Sequence, residues 1–291
     1  MDELFDEATK FIEAGKLDEA IVIYEHILNR LPSYHEARHD LAQLLVENDK
    51  KDEAINILDE GLKIKKDETS FWFLKGLTYL KMRQFGDALK SFRSVEKYDG
   101  LSNALVLNMG ISHRELGSVS AGLELLEKWE ENCKDEPQLY CLMAEMHIEV
   151  HELDKAREII GKGQKINPED LNLKYILGIV YSRDQKWMEA IPIFKTILDK
   201  MPENLSIIHE LGWAYIQVNY LEEGIPLLTK CYNANPVKLS VIMDLAIAYS
   251  QKPDFVKAME FAKKAENLEP FDENVKKLIE EIKAARDNMG L

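Results

Sequence analysis

Cysteine is scarce in this chain, which holds three in 291 residues: Cys133, Cys141 and Cys231. No two of them form a C-x-x-C pair, and an odd number cannot make the paired framework of a small disulfide-rich domain. The spacing also lacks the ligand pairs of a zinc knuckle. The sequence therefore predicts a protein of a reducing compartment, without structural disulfides or a structural zinc site.

Long apolar runs are also missing, because no stretch of 18 consecutive apolar residues occurs. The chain starts MDELFDEATK, which is acidic and lacks the basic and apolar regions of a secretory signal. A hydrophobic content of 46% is nevertheless enough for a folded core. We expect a folded, soluble, cytoplasmic protein that inserts into no membrane.

Basic residues are in the minority, with 37 Lys and Arg against 52 Asp and Glu, a net charge of −15. Residues 1–68 hold 18 acidic and 9 basic side chains. Such a field repels phosphate backbones and anionic lipids and favours basic segments on a partner. The simpler alternative is that the acidic surface only maintains solubility. Neither interpretation predicts a nucleic acid as partner.

Signatures of catalysis are absent as well: the sequence has no glycine-rich phosphate loop, nucleophile elbow or paired-carboxylate arrangement. His147, Glu149 and His151 form H-x-E-x-H, which places two imidazoles one helical turn apart, as a zinc site requires. The zincin order H-E-x-x-H is absent, however. We predict that the chain is not an enzyme and binds neither a metal nor a cofactor.

A repeat of 34 residues is the dominant feature that the sequence does contain. Counted from Met1, it divides the chain without insertion or deletion into 1–34, 35–68, 69–102, 103–136, 137–170, 171–204, 205–238 and 239–272. Position 8 is always Ala or Gly, and so is position 20: Ala8, Ala42, Gly76, Gly110, Ala144, Gly178, Gly212, Ala246, then Ala20, Ala54, Ala88, Gly122, Ala156, Ala190, Gly224, Ala258. Small residues there predict two closely packed helices per repeat.

Prolines and polar connectors agree with this register. Position 32 is proline in five repeats, where it would end a second helix: Pro32, Pro168, Pro202, Pro236 and Pro270. Segments such as GKLDEA and HELDKA separate the two helices. The register predicts sixteen helices and no strands.

The segment Leu177–Pro202 carries Leu177, Gly178, Tyr181, Ala190, Phe194 and Pro202 in an order that resembles the tetratricopeptide repeat. The resemblance implies an all-α protein, a right-handed superhelical α-solenoid of eight helix pairs. Residues 273–291 carry an amphipathic pattern, and the family implies a C-terminal capping helix there. The alternative is a helix that docks on another protein.

Two departures from the pattern are expected to change the geometry locally. Repeat four has Gly122 for Ala and Trp129 where a small or medium residue is usual, which predicts atypical packing and a change in superhelical curvature. Pro192 and Pro226 lie inside second helices, where each removes a backbone hydrogen bond. We therefore expect those two helices to bend.

In the family, the first helices line a concave groove, and positions 2, 5, 9, 12 and 13 commonly reach the ligand. Carried over to this chain, these positions give an apolar stripe of Phe73, Leu77, Leu107, Ile111, Tyr175, Ile179, His209, Trp213, Met243 and Ile247. Together with the neighbouring position 6, they give an acidic end of the groove formed by Asp2, Asp6, Glu13, Glu36, Asp40 and Glu47. The competing interpretation is that the apolar stripe is packed between repeats as core.

The resemblance implies a non-enzymatic protein–protein interaction scaffold or adaptor, whose groove holds an extended or helical segment of a partner. No three successive repeats supply the family's basic clamp for a C-terminal carboxylate. Self-assembly through the terminal helices or the groove is the main alternative. An RNA-binding helical repeat is a remote one, because it needs basic and stacking residues on the inner helices.

Overall fold

The computed structural model describes residues 2–132 and 135–290, and gives Asp2 by its backbone alone. Cys133 therefore lies outside the described residues. Within those ranges the chain forms seventeen α-helices and no strand, so the prediction of an all-α protein is confirmed. No helix in this part of the chain is both long and apolar enough to cross a membrane.

The chain divides into two compact units, residues 1–150 and 151–291. The first unit contains nine α-helices within its described residues: α1 (Asp2–Glu13), α2 (Leu17–Arg30), α3 (His35–Glu47), α4 (Lys51–Ile64), α5 (Thr69–Lys81), α6 (Phe85–Asp99), α7 (Asn103–Glu115), α8 (Val119–Trp129) and α9 (Pro137–Glu149). Successive helices from α1 to α8 pack against each other, as expected for consecutive helix pairs.

Residues 151–290 of the second unit contain eight helices: α10 (Leu153–Ile166), α11 (Leu171–Arg183), α12 (Trp187–Lys200), α13 (Leu205–Gln217), α14 (Leu221–Ala234), α15 (Leu239–Gln251), α16 (Phe255–Leu268) and α17 (Glu273–Asn288). Each helix packs on the one that follows it, and α17 also contacts α15. The last helix buries Val275, Leu278, Ile279 and Ile282 against α15 and α16. It covers the apolar face of the last pair, as a terminal cap must.

The small residues at positions 8 and 20 lie where paired helices touch. Ala8, Ala20, Ala190 and Ala258 have no exposed surface. A Cβ added at Gly178 on α11 would lie 2.5 Å from Cε1 of Phe194 on α12. The ring of Phe194 therefore occupies the space that the missing side chain leaves, and this contact sets the close approach of the two helices.

The connectors between paired helices use a left-handed residue at position 15. Its φ is 71° at Gly15 and 74° at Gly117, and it is between 57° and 62° at Asp49, Arg83, His151, Gln185 and Asn219. This conformation costs little for Gly and is tolerated by Asn and Asp, but it is unfavourable for other residues. The turn is thus maintained even where the residue type does not favour it.

Second helices end two residues before the proline of position 32. They end at Arg30, Ile166, Lys200, Ala234 and Leu268. The residue that precedes a proline disfavours helical backbone angles, which explains a stop at this distance. Helices α12 and α14 continue through Pro192 and Pro226, and a bend at those prolines stays a prediction.

Repeat four departs from the others, as its sequence indicates. Helix α8 has 11 residues and is followed by a 3₁₀ turn at Glu130–Asn132. Trp129, at its end, is half-buried and donates its indole N–H to Oδ1 of Asn103 at 3.1 Å. The altered curvature predicted for this region remains a prediction.

Candidate functional site

The sequence allowed two interpretations of the ten residues of the predicted apolar stripe, an accessible groove surface or buried core. The structure shows side chains that are intermediate between the two. Nine are half-buried, and Ile111 is exposed. Phe73 packs on Phe92 with ring centroids 5.8 Å apart, and Tyr175 packs on Phe194 at 6.4 Å. Each of these side chains therefore supports the core on one side and leaves part of its surface accessible.

A first cavity, of about 270 Å³, opens in the first unit between α3 and α5. Phe73 and Leu77 from the predicted stripe line it together with Glu47 from the predicted acidic end. The remaining lining residues are His39, Gln43, Val46, Leu74, Thr78 and Lys81. The structure thus brings apolar and acidic predicted residues to one place.

A second cavity, of about 340 Å³, lies in the second unit. Ile179 and Trp213 from the predicted stripe line it, and so do Ser182, Arg183, Gln185, Trp187 and Glu210. We call it the α11/α13 cavity after the two helices that supply most of its wall. Its volume is at the small end of the range of about 300 to 1,000 Å³ typical of ligand pockets, which suits a side chain better than a folded segment.

The two cavities occupy the same place in the 34-residue register. Positions 9, 12 and 13 of one repeat and positions 6 and 9 of the next line both. At position 12 the first cavity has Val46 and the second has Ser182. At position 6 the first has Leu74 and the second has Glu210. Two apolar wall residues of the first cavity are therefore polar in the second.

Ser182 is unusual among the buried hydroxyls of the protein. Thr78, Ser91 and Ser112 each donate to the carbonyl four residues earlier, at 2.7 to 2.9 Å. Ser182 is 9% exposed, and its Oγ is the one buried side-chain oxygen or nitrogen of residues 2–132 and 135–290 without a hydrogen-bond partner. A buried polar group left unpaired is costly, so its persistence calls for an explanation.

Glu210 is half-buried on α13 and makes no hydrogen bond or ion pair with the described residues. Burial raises the pKa of its carboxyl above the usual value, and the nearby Asp244 adds to this effect. His209, Arg183 and Lys238 act on the Glu210 pKa in the opposite direction without overcoming burial. The carboxylate is thus partly dehydrated and lacks a counter-ion in contact.

His209 of the predicted stripe has a different role from its neighbours. Its Nε2 lies 2.6 Å from Oδ2 of Asp244 on α15, and both side chains are largely buried. This bond joins the first helices of two successive repeats and occupies the Asp244 carboxylate. His209 is therefore a structural contact and does not line the α11/α13 cavity.

The other predicted stripe residues lie outside the two cavities. Leu107 and Ile111 are on α7, Tyr175 is on α11, and Met243 and Ile247 are on α15. Met243 and Ile247 pack against the cluster that includes α17. They extend the partly accessible apolar surface along the first helices of each unit.

The predicted acidic end is mostly solvent-exposed, as Asp6, Glu13, Glu36 and Glu47 show. Asp40 is half-buried and accepts a hydrogen bond from the Tyr24 hydroxyl at 3.4 Å. Burial and the negative charge of Asp40 raise the pKa of Tyr24 to about 12. Asp2 was also predicted here, but its side chain lies outside the described residues.

Two residues of the H-x-E-x-H pattern, His147 and Glu149, contact neighbouring helices. His147 is buried on α9, with Nε2 3.9 Å from Oε1 of Glu127, and Glu149 pairs with Arg114. His151 lies in the turn after α9. Across the described residues, no group of three or more His, Cys, Asp or Glu side chains is placed to hold a metal ion.

Sequence profiles of the tetratricopeptide repeat family match residues 11–76, 73–137 and 205–238. The chain is a tetratricopeptide repeat protein. This fold is a helical-repeat scaffold for protein interaction, and catalysis is not its typical use. The prediction of the family from the segment Leu177–Pro202 is confirmed, although the profile matches lie on either side of it.

Two known proteins are similar to parts of this chain. Peroxisome biogenesis protein 5 of Arabidopsis thaliana is 23% identical over 43% of this chain and 17% of its own length. Protein O-mannosyl-transferase TMTC3 of Homo sapiens is 19% identical over 63% of this chain and 20% of its own length. The chain spans a fifth or less of the length of these relatives.

Solved structures agree on the fold. The Cut9–Hcn1 hetero-tetramer of the APC/C has a TM-score of 0.69 and 16% identity, and the match covers 96% of this chain and 55% of that one. YrrB, described as a tetratricopeptide repeat protein with an unusual peptide-binding site, has a TM-score of 0.52 and 14% identity, over 64% of this chain and 96% of its own.

Sequence reasoning missed Ser182, Arg183 and Glu210 as cavity residues. Ser182 and Arg183 occupy positions 12 and 13, which the family implies can reach a ligand. Glu210 occupies position 6, which is apolar at Leu74, Leu142 and Ile176. Because Asp6, Asp40 and Asp244 are also acidic at position 6, the residue type alone did not single out Glu210.

Proposed function

We propose that this protein is a non-enzymatic scaffold that binds an extended or helical segment of a partner protein along the first helices of its repeats. The observation that carries the proposal is the pair of cavities at the same register positions, one in each unit. Both include half-buried apolar side chains from the predicted stripe. Partly accessible apolar surface beside polar groups is typical of sites that anchor a peptide.

The charge distribution supports a partner segment that carries basic residues. Residues 1–150 contain 30 acidic and 18 basic side chains, so this unit contributes −12 to the net charge of −15. A field of one sign accelerates the approach of oppositely charged partners and disfavours anionic ones. The description of YrrB as a peptide binder is a precedent for this fold and supports the same proposal.

The test begins with a display selection of random 12-residue peptides on the purified chain, followed by affinity measurements with the best peptides. Leu77→Ala removes an apolar side chain from the wall of the first cavity, and Trp213→Ala removes one from the α11/α13 cavity. We expect at least one of the two variants to weaken peptide binding by roughly 2 kcal/mol or more. Met188→Ala is the matched control, because Met188 is an apolar residue 59% exposed on a second helix, outside both cavities.

Thermal unfolding of each variant separates lost contacts from lost structure, since both cavity residues also support the core. A peptide whose binding survives both cavity variants but is lost in Met188→Ala would move the binding surface to the second helices. Recovery of no binding peptide would contradict the proposal.

A further inference from the structure

The α11/α13 cavity is chemically different from its counterpart in the first unit, although the register is the same. Its walls include the two indole rings of Trp187 and Trp213, both half-buried. Neither ring takes part in a ring–ring or cation–π contact within residues 2–132 and 135–290. The faces of tryptophan attract cations more strongly than those of other aromatic side chains.

One carboxylate of the cavity wall lacks a partner of opposite charge. Glu210 supplies this half-buried group, which has no contacting counter-ion, whereas the Oγ of Ser182 has almost no exposed surface and so does not face the cavity. A buried charge is unfavourable until a partner of opposite sign and hydrogen-bonding capacity reaches it. A group that carries N–H donors and positive charge would satisfy the Glu210 carboxylate.

We propose that the α11/α13 cavity is the subsite for one basic side chain, a lysine or an arginine, of the bound partner segment. Its aliphatic stem would lie against Ile179 and the tryptophan rings, and its charged end would meet Glu210. This inference rests on the proposed function, because it names the residue that the partner must place at one point of the groove.

Arg183 is the feature that most directly opposes this assignment, because it lines the same cavity. Its side chain is exposed, so water solvates its charge, and it forms no ion pair with Glu210. Burial therefore removes water from the Glu210 carboxylate and not from the Arg183 guanidinium. The carboxylate is the group that gains most from an oppositely charged ligand. An acidic ligand would leave Glu210 with an added repulsion.

The experiment uses the full chain and peptides from a random 12-residue display selection. We expect the selected peptides to share a lysine or arginine at a fixed number of residues from an apolar anchor. Replacement of this basic residue by methionine should weaken binding of the peptide. Glu210→Gln should weaken the basic peptide about tenfold and remove its advantage over the methionine peptide. Ser182→Ala should leave the basic preference unchanged, because the Ser182 oxygen is not exposed to the cavity.

Two further variants give the controls. Glu223→Gln changes the net charge equally at an exposed site on α14, and its effect should stay below about twofold, because exposed charges act weakly at a distance. Arg183→Gln should leave binding of the basic peptide unchanged or stronger. Far-UV circular dichroism and thermal unfolding confirm that each variant is folded.

The outcomes distinguish this inference from the proposed function. Peptides that depend on Trp213 but show no basic preference, or that bind Glu210→Gln as well as wild type, would overturn the basic subsite and leave the scaffold intact. Selection of acidic residues that depend on Arg183 would also overturn it. Failure to select any peptide would remove both proposals together.

Discussion

The ring of Phe194 on α12 packs against Gly178 on α11, at the point where a side chain on residue 178 would begin. We expect Gly178→Leu to destabilise the protein by about 1 to 3 kcal/mol, because the added atoms must push the two helices apart. Chemical denaturation gives this value directly. An unchanged free energy of unfolding would mean that the two helices do not pack as described.

Gly117 and Gly161 form a matched pair for testing the connector conformation, because a Cβ at either would meet no atom within 4 Å. Gly117 has φ 74° at position 15, whereas Gly161 lies inside α10 without a positive φ. Gly117→Ala should cost about 1 kcal/mol, and Gly161→Ala should stabilise by about 0.5 to 1 kcal/mol. Equal shifts in melting temperature would argue against a left-handed turn.

The fold could be predicted from the sequence because its determinants repeat at a fixed spacing. Ala and Gly at positions 8 and 20 and the prolines at position 32 fixed the helix pairs, and the structure confirms an all-α helical-repeat fold. The left-handed position 15 was not predicted, because Gly15 and Gly117 signal it but Arg83 and Gln185 do not.

The candidate site was only partly predictable. Phe73, Leu77, Ile179 and Trp213 could be named because apolar residues at groove positions are conspicuous. The register alone could not say how much of each side chain packs on the core, since that depends on neighbours such as Phe92. Neither the depth of Ser182 in the cavity wall nor the missing hydrogen bond of its oxygen could be read from the register.

Arg38 is a buried charge that links α3 to two other segments of the first unit. It is 4% exposed and donates to the carbonyl oxygens of Pro32 at 2.9 Å and Ile57 at 3.0 Å, and to Oε2 of Glu60 at 3.3 Å. Arg38→Met should cost about 2 kcal/mol or more, because it removes the donor from two carbonyls.

Glu60→Gln is the control for this contact, since the Glu60 side chain is 61% exposed. Because the Glu60 carboxylate is exposed, water solvates it and weakens its attraction to Arg38, so the loss should stay below about 1 kcal/mol while both carbonyl contacts remain. Denaturant titrations of both variants give the comparison. A larger effect for Glu60→Gln would show that the ion pair, not the carbonyls, accounts for the stabilisation.

Helix α17 should stabilise the helices that it covers. Ile282 is 1% exposed, and its replacement by Ala should cost about 2 to 5 kcal/mol through the cavity left behind. Lys277 is on the same helix with a side chain 76% exposed, and Lys277→Ala should change stability by less than about 0.5 kcal/mol. Amide hydrogen exchange in α16 should accelerate only in the Ile282 variant.

The Glu210 carboxyl should make the protein less stable as pH rises. Glu210→Gln should remove this pH dependence. Because burial raises the folded pKa above the unfolded value, both states bind the proton at low pH and folding then carries no penalty. As pH rises from the unfolded pKa of about 4.5 through the folded pKa, the unfolded state ionises first and the native state loses relative stability. Glu210→Gln should therefore melt close to wild type at pH 4 and above it at pH 7.

The same measurement connects stability to binding. A basic peptide in the α11/α13 cavity supplies the missing counter-charge, so it should raise the melting temperature of wild type more than that of Glu210→Gln at pH 7. Comparing the two proteins at each pH cancels the titration of groups that they share. A variant that melts below wild type at pH 7 without peptide would show that the Glu210 carboxylate already has a stabilising partner.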